Sequence, residues 1–297
     1  MKLSDMYKSS KTVISFEVFP PKDADAVALK EKEDRLFDEM KLLMKYSPAF
    51  FSVTYGAGGS TRDKTLDIVK RINCELNATP LPHFTCVGSS KNNILEYIKS
   101  VENLGIENIL ALRGDPPKNM PDFVPEKDGF CYANELVDFI KANSNLSVAV
   151  AGYPECHQKA VCFEDDLQNL KRKVEAGADA VITQIFYENA HFFNFVERCR
   201  AVGINVPIIP GIMPITSFSQ IERMISMCGC SVPEKFRMVL ERFKNDDEAC
   251  RQIGIAYSVE QCRELLKFGV KGLHFCTLNK AAASMQILDE LIINSNK

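Results

Sequence analysis

The amino-acid sequence predicts an α/β protein built as a (β/α)8 barrel, with residues 1–297 forming a single domain that carries extra helices. Three observations support this fold class. Short apolar runs rich in β-branched residues recur along the chain, amphipathic segments separate them, and the runs number eight. Eight strand–helix units close a barrel of this kind, which typically takes about 250 residues.

The predicted strands are continuous apolar runs rather than alternating ones. Such runs are typical of parallel strands that helices cover on the outside. They comprise residues 13–19, 50–55, 82–87, 109–113, 146–153, 180–187, 206–213 and 272–278.

The segments between the runs predict helices. Leu36, Phe37, Met40, Leu43 and Met44 share one face of the first. A second helix is predicted over residues 163–178, where Gly177 is a stop signal. Residues 217–268 are too long for one helix and predict three, with the extra one around 232–243. Residues 281–293 predict a closing helix.

A doubly wound sheet is the alternative fold. It is weakened because no G-x-G-x-x-G motif follows any of the predicted strands. The usual dinucleotide-binding fingerprint is therefore missing.

The composition is that of an ordinary globular protein, with 46% hydrophobic and 25% charged residues and a net charge of −3. No lysine- or arginine-rich run predicts binding to nucleic acid or an anionic membrane. The polar N-terminal residues 1–12 do not resemble a signal peptide, so we expect a cytoplasmic protein.

The cysteines predict neither a disulfide framework nor a metal site. Their number, eleven, is odd, and they are spread along the chain. The closest pair, Cys228 and Cys230, lacks a second pair or histidines at the spacing of a zinc site. Buried thiols usually behave as small apolar groups.

Polar residues at the ends of the eight runs are candidates for the functional site, because barrel enzymes place their chemistry at the C-terminal ends of the strands. They are Glu17, Thr54, Tyr55, His83, Arg113, Asp115, Tyr153, Glu155, His157, Gln184, Asn279 and Lys280.

Glu17 is the sharpest candidate, since it interrupts an otherwise apolar strand. A carboxylate in a barrel wall is costly unless it is paired or hydrogen-bonded. Burial would raise its pKa, as a general acid working near neutral pH requires. From the residues alone, a catalytic acid and a structural ion pair are equally supported.

Nine motifs follow one another along nearly the whole chain, from residue 15 to about residue 280, and each lies on a predicted strand or the helix after it. They are the segments 15–21, 52–61, 82–86, 111–115, 151–157, 170–178, 183–187, 209–214 and 277–279. Together these motifs resemble those of the methylenetetrahydrofolate reductase family.

The resemblance implies a TIM barrel with FAD lying across the C-terminal ends of the strands. The cofactor-binding positions that it implies are Thr54, His83, Leu112, Arg113, Asp115, Ala151, Tyr153, His157, Asp166, Asn169 and Lys173.

Several of these positions also make physical sense. Arg113 and Lys173 would neutralise a pyrophosphate. Without the resemblance, compensation of the helix dipole would be the favoured interpretation of Lys173, which lies with Lys171 and Arg172 in the last turns of its helix. Tyr153 or His157 would stack on an aromatic ring. The glycine-rich loop over residues 56–60 would bring backbone close to a ligand.

The resemblance also implies substrate-binding roles. Glu17 would be the general acid, Asp115 would lie by the flavin and the folate as a second catalytic residue, Gln184 would contact the pterin, and Lys280 would approach the folate. Many family members carry arginine in place of Lys280 and an aromatic residue in place of Cys276. Either Phe218 or Met224 would stack on the nicotinamide of the electron donor.

The implied reaction is the ping-pong reduction of 5,10-methylenetetrahydrofolate to 5-methyltetrahydrofolate, a step of one-carbon metabolism and methionine biosynthesis. Hydride from NADH or NADPH reaches the folate through the flavin, and Glu17 protonates N10 to open the five-membered ring. We expect a homo-oligomer. Two alternatives stay open, namely a flavin-free folate-dependent methyltransferase barrel and an electron-relay subunit of a larger complex.

Overall fold

Eight parallel strands form a closed barrel in which each strand pairs with the next and β8 pairs with β1. The structure is a computed structural model, and it describes residues 1–8, 11–22, 25–55, 62–115 and 126–295. The strands are β1 Val13–Val18, β2 Phe50–Val53, β3 Pro80–Thr85, β4 Asn108–Leu112, β5 Ser147–Gly152, β6 Ala180–Ile185, β7 Ile208–Ile212 and β8 Gly272–Cys276. This confirms the barrel and shows that the doubly wound alternative is wrong.

Helices follow the strands and surround them. They are α1 Leu3–Met6, α2 Ala26–Leu43, α3 Arg62–Glu75, α4 Lys91–Asn103, α5 Ala133–Asn143, α6 Phe163–Glu175, α7 Asn189–Ala201, α8 Phe218–Cys228, α9 Glu234–Arg242, α10 Asp247–Phe268 and α11 Ala282–Ser295. The three helices predicted within residues 217–268 are thus α8, α9 and α10, and α11 is the predicted closing helix. None of the described helices is long and apolar enough to cross a membrane.

The predicted face of α2 is confirmed. Leu36, Phe37, Met40 and Leu43 are buried against the barrel, while Met44 begins a short 3-10 turn that follows the helix. Helix α6 ends close to the predicted stop, because Gly177 adopts a left-handed conformation with φ of 110°. Glycine adopts this conformation without the steric cost that a side chain brings.

The barrel interior is filled with apolar side chains toward the N-terminal ends of the strands. Phe50, Leu81 and Leu110 lie in this interior cluster together with Leu3 and Met6 of the short helix α1. The amide oxygen of Asn108 accepts a hydrogen bond from the backbone N–H of Leu3 at 2.7 Å, which ties α1 to the barrel. The sequence analysis did not predict α1. The interior cluster fills this end of the barrel, and the polar strand-end residues lie at the opposite end.

Candidate active site

Two cavities open at the C-terminal end of the barrel. The first, which we call the cationic cavity, has a volume of about 600 Å³ and lies between the ends of β4 and β5 and helix α6. The second, the carboxylate cavity, has a volume of about 650 Å³ and lies between β1, β6, β7, β8 and helix α8. Both have the size of small-molecule binding sites.

The cationic cavity brings together most of the predicted cofactor-binding residues. Its walls include four cationic side chains and two carboxylates, so the cavity carries excess positive charge. The predicted residues that line it are Leu112, Arg113, Ala151, Tyr153, His157, Asp166, Asn169 and Lys173.

Lys173 is the central cation of this cavity. Its ammonium donates a hydrogen bond to the carbonyl oxygen of Ala151 at 2.6 Å. Burial lowers the pKa of Lys173 to about 8, although the nearby carboxylate of Asp166 opposes this shift. Within the described ranges, no carboxylate forms an ion pair with Lys173 at 4.0 Å or less. A partly buried ammonium in this position suits an anionic ligand group such as a phosphate.

Asp166 completes the local electrostatics. Its carboxylate accepts a hydrogen bond from the backbone N–H of His157 at 3.0 Å, which fixes the loop after β5 against α6. Burial raises the pKa of Asp166, and this hydrogen bond and Lys173 partly offset the shift. The loop that carries Tyr153 and His157 is therefore held in place from the helix side.

The three consecutive basic residues 171–173 of α6 have different surroundings, because successive residues of a helix point in different directions. Arg172 and Lys173 line the cationic cavity, whereas Lys171 forms an ion pair with Glu175 at 3.7 Å. The sequence analysis missed Arg172, together with Lys159, which also lines the cavity. The basic run was the available signal, but the sequence analysis assigned a phosphate contact to Lys173 alone of the three residues.

Tyr153 and His157 offer aromatic surface inside the cationic cavity. Their ring centroids lie 4.6 Å apart in an edge-to-face arrangement with an interplanar angle of 89°. Burial raises the pKa of Tyr153 to about 12, so its hydroxyl stays protonated at neutral pH. Rings held in this way present a fixed face for contact with another aromatic system.

Glu17 is the one carboxylate among the residues that line the carboxylate cavity. It lies on β1, where the strand register places it opposite Ser52 of β2 and Cys276 of β8. Its Oε2 atom lies 3.6 Å from Nε2 of His83 and 3.9 Å from Nε2 of His274. Its Oε1 atom accepts a hydrogen bond from the Cys276 thiol at 3.5 Å.

The expectation that burial raises the pKa of Glu17 is wrong for the net shift. Burial does raise the pKa of this carboxyl, but the His274 and His83 imidazoles beside Oε2 and the Cys276 thiol at Oε1 outweigh it. The pKa of Glu17 therefore lies below its ordinary value. The sequence analysis missed His274 and Cys276 as partners, because both come from the far end of the chain.

His83 lies beside Glu17 and lines neither cavity, although the resemblance implied contact with the cofactor. Burial lowers the pKa of His83 to about 4, against the opposing influence of Glu17. The imidazole is therefore neutral at neutral pH. Its Nε2 atom is buried and has no hydrogen-bond partner within the described ranges. This nitrogen lies 3.6 Å from Oε2 of Glu17, just beyond hydrogen-bond distance.

Gln184 enters the carboxylate cavity at an irregularity of the barrel. The register between β6 and β7 shifts between Ile182 and Ile185, as at a β-bulge. The Gln184 side chain turns back so that its oxygen accepts a hydrogen bond from the backbone N–H of Ile185 at 2.9 Å. Bulges re-aim side chains next to active sites, and this one carries the predicted pterin-contacting residue.

Helix α8 forms the outer wall of the carboxylate cavity. Gln220, Met224 and Met227 repeat at helical spacing, and all three line the cavity. Met224 rather than Phe218 is thus the residue of the predicted nicotinamide-contacting pair that lines the cavity. Phe218 is partly buried against the same apolar cluster as Met224 but does not line the cavity. The spacing of the three residues in the sequence was the signal that could have revealed Gln220 and Met227.

Besides His83, three predicted cofactor- or substrate-binding residues lie outside both cavities. Thr54 is half-buried at the end of β2, and Lys280 is exposed after β8. Asp115 is exposed after β4, where its carboxylate accepts a hydrogen bond from the ammonium of Lys159 at 3.3 Å. The glycine-rich loop 56–60 lies outside the described residues. Within the residues that the structure describes, no group of three or more His, Cys, Asp or Glu side chains forms a metal site.

Comparison with known proteins gives a consistent result. The family model described as methylenetetrahydrofolate reductase matches residues 2–292. Methylenetetrahydrofolate reductase (NADH) 1 of Arabidopsis thaliana is 38% identical over all of this chain, which covers 52% of the plant protein. The 5,10-methylenetetrahydrofolate reductase of Escherichia coli K12 is 36% identical over 94% of this chain, which covers 90% of that enzyme. The chain thus spans about half the length of the plant relative and most of the bacterial one.

The fold also has counterparts among solved structures. A Clostridium thermocellum protein that binds two copies of 5-methyl-5,6,7,8-tetrahydrofolic acid superimposes with a TM-score of 0.69. The match covers 99% of this chain and 100% of the other, at 16% sequence identity. At this level of identity the similarity establishes the barrel fold alone.

Proposed function

The chain belongs to the methylenetetrahydrofolate reductase family, and from this premise we propose that it reduces 5,10-methylenetetrahydrofolate to 5-methyltetrahydrofolate with FAD as its cofactor. One observation carries the proposal. A cavity whose charged walls suit a dinucleotide phosphate opens at the same end of the barrel as an apolar cavity with a half-buried carboxyl group. Binding and proton transfer thus have separate sites within one barrel mouth.

We assign the cationic cavity to FAD. Arg113, Arg172 and Lys173 would hold the pyrophosphate, because charge-assisted hydrogen bonds to phosphate are strong. Tyr153 and His157 would contact one of the ring systems. When bound, FAD would supply the hydride-transfer chemistry that amino-acid side chains lack.

We assign the carboxylate cavity to the folate substrate and the general-acid role to Glu17. The carboxyl would deliver its proton to N10 of the folate, which opens the five-membered ring. In the open cavity the neighbouring imidazoles and the Cys276 thiol favour the ionised form. Substrate that covers Glu17 would remove its remaining contact with water and so favour the protonated form. Glu17 would therefore be protonated, and ready to donate, when the substrate is bound.

The remaining walls would orient the substrate. Gln184 would hydrogen-bond the pterin, and Met213, Met224 and Met227 would cover its apolar faces. Lys280 would approach the folate from outside the cavity. Asp115 would act on the flavin from the rim, although Lys159 partly neutralises its charge.

The electron donor would be a reduced nicotinamide. The Arabidopsis relative is named an NADH enzyme, which supports NADH. Met224 would contact the nicotinamide, since it lines the carboxylate cavity and Phe218 does not. Assembly into a homo-oligomer stays a prediction, which light scattering of the purified protein tests.

The decisive experiment is anaerobic mixing of the purified protein with NADH and, separately, with NADPH while flavin absorbance is recorded. We expect a yellow protein whose flavin bleaches with NADH and regains its absorbance when methylenetetrahydrofolate is added. A colourless protein that binds methyltetrahydrofolate would support the flavin-free methyltransferase instead. A flavin that neither nucleotide reduces, but that reduces methylenetetrahydrofolate after chemical reduction, would support the electron-relay subunit.

A further inference from the structure

The thiol of Cys276 lies against the carboxyl group of Glu17. Strand β8 runs parallel to β1 in a register that places the two residues side by side. The Cys276 Sγ atom donates a hydrogen bond to Oε1 of Glu17 at 3.5 Å, and both side chains line the carboxylate cavity. The contact thus joins adjacent strands directly at the position of the proposed acid.

The other groups around Glu17 face its second oxygen. His83 on β3 and His274 on β8 approach Oε2, while Arg223 and Cys228 of α8 line the same cavity. His274 is held by the hydroxyl groups of Ser15 at 2.8 Å and Ser52 at 3.3 Å. The two carboxyl oxygens therefore have different surroundings, with imidazoles at Oε2 and a thiol at Oε1.

The thiol acts as a donor and not as a second acid or a nucleophile. Burial and the neighbouring carboxylate of Glu17 raise the pKa of Cys276 well above its ordinary value. The sulfur therefore keeps its proton throughout the physiological pH range. A protonated thiol beside a carboxylate stabilises the ionised form, as any hydrogen-bond donor does.

We propose that Cys276 is a positioning residue for Glu17, which holds Oε1 as an acceptor and thereby sets the upper pH limit at which Glu17 still carries a proton. This inference rests on the proposed function, because it concerns the acid of the folate half-reaction. A thiol is a weaker donor than a hydroxyl and a stronger one than a methyl group. The strength of the donor at position 276 therefore sets how tightly Glu17 holds its proton.

Two substitutions test the proposal through the pH profile of the folate half-reaction. Cys276→Ala removes the donor, so Glu17 holds its proton more tightly and the alkaline limb of the profile moves up by about half to one pH unit. Cys276→Ser introduces a stronger donor of similar size and moves the same limb down. The matched control is Cys262→Ala, since Cys262 is a buried cysteine of α10 that packs in the same apolar core as Leu36 and Phe37 of α2. It should keep the original profile.

Infrared spectroscopy gives a second readout that needs no turnover. The S–H stretching band that Cys276→Ala removes from the spectrum should lie at the low frequency of a hydrogen-bonded thiol. Glu17→Gln should move that band up, because an amide oxygen is a weaker acceptor than a carboxylate.

The outcomes separate this proposal from the proposed function. Coincident pH profiles for the original protein and both Cys276 variants, or an S–H band that Glu17→Gln leaves in place, would overturn the positioning role. If Cys276→Ala folds poorly, the downward shift in Cys276→Ser decides the matter. A protein that lacks folate reduction in every form would overturn the proposed function, while the infrared band still tests the contact.

Discussion

The two cavities at the barrel mouth differ in how they are built. The cationic cavity takes its charged groups from a helix and from the loops after β4 and β5, where solvent reaches them. The carboxylate cavity takes Glu17, His274 and Cys276 from the strands themselves, where the barrel register fixes them. The first thus gathers charged side chains from several segments around a space for an anionic ligand, whereas the second holds a single carboxyl group at a defined place in the barrel wall. Proton transfer at a defined atom needs such fixed placement.

The comparison also explains why the two sites treat charge in opposite ways. In the cationic cavity, burial lowers the pKa of Lys173, and an anionic ligand would stabilise the charged form against this effect. In the carboxylate cavity, the neighbours of Glu17 already favour its charged form against burial. Ligand binding should therefore raise the pKa of Lys173 in the cationic cavity and the pKa of Glu17 in the carboxylate cavity.

The largest effect is expected from Glu17→Gln, which keeps the shape of the side chain and cannot deliver a proton. The folate half-reaction should fall by about 10²–10⁴-fold, the range expected for loss of general acid catalysis. Reduction of the flavin by the nicotinamide should continue at a comparable rate, because it involves no protonation of N10. Stopped-flow measurement of each half-reaction, after the FAD content is confirmed, gives both numbers.

The control for Glu17→Gln is Glu222→Gln, which alters a surface ion pair of α8 with Arg237. It should leave both half-reactions unchanged. Equal slowing of both half-reactions in Glu17→Gln would make Glu17 structural, and no slowing in either would contradict the proton-transfer role.

The cationic cavity is tested by Lys173→Ala and Arg113→Ala. Loss of one charged phosphate contact should weaken FAD binding by about 1.5–3 kcal/mol, or about 10- to 150-fold. Lys171→Ala is a matched control, since Lys171 lies on the same helix but pairs with Glu175. Titration of the apoprotein with FAD, followed by fluorescence quenching, measures the affinities. Unchanged affinity in both cavity variants would contradict the assignment of the cationic cavity to the pyrophosphate of FAD.

The pKa of Lys173 adds a pH dependence to the same comparison. The ammonium loses its charge as the pH rises through about 8. The affinity for FAD should therefore fall between about pH 7 and about pH 9.5, by at most the effect of removing the side chain. Lys173→Ala should bind FAD weakly with a flatter pH dependence. A parallel decline in the original protein and the variant would assign the pH dependence to another group.

The smallest effect is expected from Asp115→Asn. Removal of a negative charge near the flavin should make the flavin easier to reduce. Because Asp115 is exposed and paired with Lys159, the midpoint potential should rise by only about 5–20 mV. Dye equilibration measures the potential, with Asp138→Asn on α5 as a control. A potential that does not move would leave Asp115 without influence on the flavin, and a far larger rise would place its carboxylate closer to the cofactor than its contact with Lys159 indicates.

The sequence by itself determined the fold class and the position of the proposed acid. Continuous apolar runs and amphipathic spacers are local patterns, so eight strands, the face of α2 and the three helices α8 to α10 could be predicted from them. Glu17 could be recognised because its charge contradicts its own strand. Eight of the cofactor-binding residues predicted by resemblance line the cationic cavity, since the motifs that carry them follow individual strands.

Only the tertiary structure decided what surrounds these residues. Helix geometry directs Arg172 and Lys173 toward the cationic cavity, while Lys171 pairs with Glu175. The barrel closes β8 against β1, which brings His274 and Cys276 to Glu17 across more than 250 residues of sequence and reverses the expected direction of its pKa shift. A pKa depends on the charges and donors within a few ångströms of a group. For Glu17 those neighbours are distant in the sequence, and a pattern within one strand cannot contain them.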